Sequence, residues 1–86
     1  MALAESKMEI RKGREIMDRQ SVSSSNIASI GYDESSETLE VEFSKNGKVY
    51  QYLNVPTFMF ERLMQANSVG IFFNAEIKNA YTCVPL

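Results

Sequence analysis

The stretch 38–53, TLEVEFSKNGKVYQYL, decides how the rest of the 86-residue chain is arranged. Leu39, Val41 and Phe43 alternate with Glu40 and Glu42, the period-two pattern of a strand with one buried and one wet face. Asn46-Gly47 then supplies the pair of positive-φ positions that a tight hairpin turn prefers. On the return strand Val49, Gln51 and Leu53 share one face, and Tyr50 and Tyr52 share the other. The hairpin therefore displays two tyrosines side by side.

Upstream, residues 2–19 contain no proline and mostly good helix formers, with Leu3, Ile10 and Met17 repeating every seven residues. The thin apolar stripe fits either a solvated helix docked lightly on the domain or a helix packed against a second subunit. The polar joint 21–26, SVSSSN, ends this helix, and Ile27, Ala28, Ile30 and Tyr32 read as a first strand closed by the turn 33–36. Downstream of the hairpin, Pro56 sits near a helix start. Met59, Phe60, Leu63 and Met64 then fall at helical spacing, so 57–66 reads as an amphipathic helix across the sheet. Ser68 can cap a shorter helix, 69–78, whose buried side would be Ile71 or Phe72, Ala75 and Ile77. Tyr81 to Val84 suggest a terminal strand, with Pro85 kept out of any central ladder position. The expected fold is α+β: an N-terminal helix, a three-stranded antiparallel β-meander, two helices packed on the sheet and a short C-terminal strand. Residues 1–20 form a helical extension and 22–86 the domain.

Charge narrows the function. Residues 1–20 carry five cations against four acids, whereas residues 21–86 carry four cations against seven acids. Long nucleic-acid backbones are held mainly by a basic surface, which this domain does not offer, so extended nucleic acid is an unexpected partner. No apolar run approaches the length of a membrane span, and the first twenty residues lack the apolar centre of a signal peptide. With one cysteine, Cys83, no internal disulfide is possible, and a cytoplasmic setting is the default.

The chemistry of catalysis is sparse. The chain has no histidine, so the commonest general base and metal ligand is missing, and Cys83 has no histidine to activate it. No metal-ligand spacing or glycine-rich phosphate loop occurs. Glu40 and Glu42 read as a solvated strand face rather than a catalytic pair. The expectation is a binding protein, not an enzyme, with no cofactor and no metal.

Several blocks together resemble the KTSC domain: SSNIASIGYD at 24–33, LEVEF at 39–43, VYQY at 49–52, Val55-Pro56 and SVGIFFNAEI at 68–77. This short module occurs at the C-terminus of some lysyl-tRNA synthetases and as a stand-alone bacterial or phage protein. Its central YxY is matched by Tyr50 and Tyr52, and the likeness runs over about residues 22–86, leaving the N-terminal helix outside. For a stand-alone form we expect a small homo-oligomeric module, of phage type, that sequesters a small cyclic-nucleotide immune signal in the bacterial host cytoplasm. Tyr50, Tyr52 and Phe73 are candidates to stack on a base. Ser25, Asn26 and Asn74 are candidates to read its edges, and Lys78, Arg62 or the backbone N–H groups at 68–70 to hold phosphate. Each has a structural alternative: tyrosines that cover the sheet beneath the helices, Phe73 as core, Asn74 as a turn residue, and Lys78 as a cation placed near a helix C-terminus. Two other functions remain open. One is an adaptor or inhibitor docking through the N-terminal helix or the hairpin, and the other is weak RNA binding, as in the synthetase appendage.

Overall fold

The computed structural model describes residues 18–86. Five strands form one antiparallel sheet in chain order: β1 (Gln20–Ser21), β2 (Ile27–Asp33), β3 (Thr38–Phe43), β4 (Val49–Tyr52) and β5 (Cys83–Pro85). Between β4 and β5 the chain forms α1 (Thr57–Gln65) and α2 (Val69–Phe72), and α2 runs directly into a π-helical turn, Phe73–Ile77. The α+β class, the meander and the helices 57–65 and 69–77 agree with expectation, and β5 is the terminal strand. Pro85 lies at its end on the sheet edge, where its missing N–H breaks no ladder. The expected N-terminal helix falls outside the described residues apart from Asp18 and Arg19, which are not helical.

The joint 21–26 reads in sequence as a linker, or with Ser24, Ser25 and Asn26 as a polar site at the strand start, and neither reading includes a strand. Instead Gln20 and Ser21 pair with Ile30 and Ser29, adding a fifth strand. Two residues carry no pattern of their own; the open edge of β2 specifies them.

Cross-strand register sets the faces. Val41 lies between Ile30 and Tyr50, and Leu39 between Tyr32 and Tyr52, so both tyrosines of the hairpin point towards the helices rather than away from them. On this face Ile27, Ile30, Leu39, Val41 and Tyr52 pack with Val55, Met59, Leu63, Val69, Phe73 and Ile77. Fully burying one such aliphatic side chain contributes roughly 1.5–3 kcal/mol. α1 is fixed at its start by Tyr32, whose hydroxyl donates to the Val55 carbonyl and whose ring stacks on Phe60 at 4.5 Å between centroids.

The second helix differs from its expected form in register. Val69, Phe73 and Ile77 are buried, whereas Ile71 is 70% exposed and Ala75 is exposed. The widened turn is the cause. Its hydrogen bond from Lys78 N to Phe73 O spans five residues (2.9 Å), so residues four apart stay in line instead of drifting around the axis. Ser68 caps this helix as expected, its Oγ accepting from Ile71 N at 3.3 Å.

The hairpin turn is also looser than its Asn-Gly pair implies. Gly47 has φ +71, whereas Asn46 is not left-handed. Phe43 N donates to Lys48 O, which leaves four residues, 44–47, in the loop. Asn46 Oδ1 instead accepts from Lys48 N at 3.0 Å.

The opposite sheet face overturns one expectation. Glu40 is not solvated but fully buried. Its carboxylate is ion-paired to Arg19 Nη1 and accepts from Gln51 Nε2 at 3.0 Å. Arg19 Nε donates to Ser29 Oγ at 2.9 Å, and that hydroxyl donates to Glu42 Oε1 at 2.7 Å. One guanidinium thus ties together side chains of β2 and β3, and Gln51 extends the network to β4. Gly31, the β2 partner of Glu40, presents no side chain to compete for the space. Burial of a carboxylate is tolerable only with such pairing.

Candidate functional site

A concavity lies where β2 begins, β3 ends and α2 passes into the π turn. It is a cleft of about 640 Å³, within the ordinary range for a small-molecule site. Three local irregularities meet there.

The first is the approach to β2. Ser24 Oγ accepts from the N–H groups of Asn26 (3.2 Å) and Ile27 (3.3 Å), turning the chain into the strand, and the β2–β3 register shifts between Ile27 and Ser29. This bulge places Ser25 and Asn26 at the cleft rim. The second is the four-residue hairpin loop, held by Ser44 N donating to Asn26 O at 2.9 Å, which brings Ser44 and Lys45 to the same rim. The third is the π turn, a feature enriched at functional sites, which keeps Phe73 inward and sets Asn74 and Lys78 on the opposing wall. Gly70 completes the wall. A Cβ there would stand 3.1 Å from Ser24 Oγ, so the close approach of helix to loop depends on its missing side chain.

Of the residues expected to bind a ligand, Ser25, Asn26, Phe73, Asn74 and Lys78 are brought together here. Tyr50, Tyr52 and Arg62 are not. Tyr52 is only 4% exposed, packed edge-on to Phe73 at 5.3 Å between centroids and paired in register with Cys83. Burial pushes its hydroxyl pKa above the usual phenol value, and the hydrogen bond and proximity of the Cys83 thiol add to the shift. Tyr50 packs against Phe43 and borders a separate, smaller depression with Lys48, Pro85 and Leu86. The Arg62 guanidinium sits 5.9 Å from the ring centre of Phe72. Phe73 itself is 1% exposed and engaged edge-on by Phe43 and Tyr52, so it is the floor of the cleft and not an open stacking platform. The half-buried Phe43 supplies aromatic lining instead.

Sequence reasoning missed Phe43, Ser44 and Lys45, whereas Gly70 belongs to the 68–70 backbone stretch it names as a phosphate holder and lies on the cleft wall. The alternation puts Phe43 on the core face, and the Asn46-Gly47 turn assigns no role to Ser44 or Lys45. A signal was available in the length of the polar run 44–48, which exceeds a two-residue turn.

The electrostatics of the cleft run against those of the chain. The protein carries a formal net charge of −2. The cleft is lined by two lysines and no carboxylate. Among the described residues neither Lys45 nor Lys78 has an acidic partner. Asn26 and Asn74 likewise have no side-chain hydrogen bond there, so two cations and two amides face the opening uncommitted. No group of described residues has the acidic, histidine or cysteine ligands to hold a metal ion. No helix among the described residues is long and apolar enough to cross a membrane.

A helix-on-sheet α+β module with a polar, cationic cleft at one end of its sheet is thus the class that fold and site define. The chain belongs to the KTSC domain family, whose sequence model matches residues 23–81. It is similar to an uncharacterised protein from Stutzerimonas stutzeri, 42% identical over 62 residues that make up 72% of this chain and 86% of the relative. It is also 37% identical to a protein from Tsukamurella paurometabola over 67 residues, 78% of this chain and 98% of that one. The crystal structure of a KTSC domain protein from Yersinia pestis matches with a TM-score of 0.78 and 45% identity, covering 83% of this chain and 99% of the other.

Proposed function

We propose that this protein is a non-catalytic binding module that holds a small, nucleotide-like anion in the cleft between the start of β2, the hairpin loop and the π turn. The observation that carries this reading is the pair Lys45 and Lys78, without acidic partners, in a cleft free of carboxylates on an acidic protein. An ammonium group is a strongly hydrated point charge, and two of them facing one opening favour an anionic occupant. Asn26 and Asn74 offer amide donors and acceptors suited to a base edge, and Phe43 and Phe73 form the apolar part of the lining. Retention without turnover fits sequestration, and the role we assign is a phage-type sponge for a small cyclic-nucleotide signal, acting as an assembly of identical chains.

Native mass spectrometry of the full chain, alone and with a panel of mononucleotides and cyclic nucleotides, tests the reading and reports stoichiometry in the same spectrum. The expected result is a complex that gains one ligand mass per cleft and loses it in the Lys78→Met variant. Retention of the ligand by that variant, or no mass gain with any nucleotide, would overturn the assignment.

A further inference from the structure

The lining of the cleft repeats itself. On the sheet side Asn26 and Lys45 stand together, their loops joined by the 2.9 Å hydrogen bond from Ser44 N to Asn26 O. On the helix side Asn74 and Lys78 stand four residues apart along the widened turn. Each wall thus presents one amide and one ammonium, and none of the four is committed to another described side chain.

Resting on the binding reading above, we propose that the occupant is a dinucleotide, with each wall taking one nucleotide unit: the lysine its phosphate and the asparagine the edge of its base. The charge balance points the same way. A mononucleotide such as AMP carries up to two negative charges, but on one phosphate, whereas two separate phosphates set one charge against the lysine of each wall. An asparagine amide pairs with adenine through a donor and an acceptor together, so the adenine-containing member of the class is the first probe. Two such units linked through phosphate fill a cleft of this size better than one.

Calorimetric titration of the full chain with AMP, the linear dinucleotide pApA and cyclic di-AMP separates the possibilities. Both dinucleotides are expected to bind at least about tenfold more tightly than AMP, and the one that binds more tightly identifies the linear or the cyclic source. Lys45→Met and Lys78→Met are each expected to weaken dinucleotide binding by about tenfold or more, the loss for one charge-assisted contact. Both lysines are exposed, so their variants are expected to melt like the parent. AMP binding as tightly as the dinucleotides, or only one of the two lysines mattering for them, overturns the two-wall assignment and leaves the cleft reading standing. Failure of all three nucleotides to bind removes both.

Discussion

The two ends of the sheet are built on different terms. At the end where β2 meets β3 through the turn 34–37, pairing continues without interruption from Ser29↔Glu42 to Asp33↔Thr38. There Tyr32 stacks on Phe60 and bonds the Val55 carbonyl, fixing α1, and Asp33 accepts from Ser35 and Ser36. At the other end a bulge, a four-residue loop and a π turn replace regular geometry, and two lysines and two asparagines lack described side-chain partners. At the regular end Tyr32 and Asp33 are engaged within the fold, while the turn carboxylates Glu34 and Glu37 add negative charge near Tyr32. The irregular end keeps two lysines and two asparagines without partners among the described side chains, open to solvent or to a ligand. The contrast sets a regular, internally bonded region against an irregular one that carries the proposed binding cleft.

Phe73 is where that separation is tested hardest, because it belongs to both regions. Its ring touches Phe43 and Tyr52 and forms the cleft floor. Phe73→Ala should cost about 3–5 kcal/mol, the range for deleting a buried aromatic, as measured by denaturant unfolding. A loss below about 1 kcal/mol would mean that the irregular end is not part of the cooperative core. At the regular end Tyr32→Phe keeps the stack on Phe60 but removes the donor to Val55 O. A cost of roughly 0.5–1.5 kcal/mol is expected, with nucleotide affinity unchanged. Altered affinity would show that the ends are coupled.

The smallest effect is alkaline. Tyr52 and Tyr32 both have hydroxyl pKa values raised by burial. A folded value above the unfolded one, near 10, means that the stability from the neutral phenol is complete below about pH 10 and lost as pH climbs through the folded value. The melting temperature should therefore fall above about pH 10, and Tyr52→Phe should flatten that fall. An unchanged slope in the variant would assign the alkaline transition to other groups.

Much of the regular end was legible in the sequence, because its cues are local. Alternation set Leu39 and Val41 inward, Pro56 marked the start of α1, and Ser68 capped the next helix. The site was half legible. Polar residues at element ends, Ser25, Asn26, Asn74 and Lys78, stood out by type, whereas Lys45 was hidden in a turn whose breadth the Asn-Gly pair disguised. Tyr50 and Tyr52 misled by being conspicuous: which way a strand faces is fixed by its partners, and theirs are Val41 and Leu39. The burial of Glu40 had no local signature at all, since its counter-charge lies 21 residues away.

That last contact bears on where this domain can be cut. Arg19 precedes the family match, which starts at residue 23. A fragment trimmed to the family boundary would lack β1 and would leave the Glu40 carboxylate inside the protein with Gln51 as its remaining described donor. In this chain the smallest piece able to keep its own sheet therefore starts upstream of the family-model match, at or before Arg19.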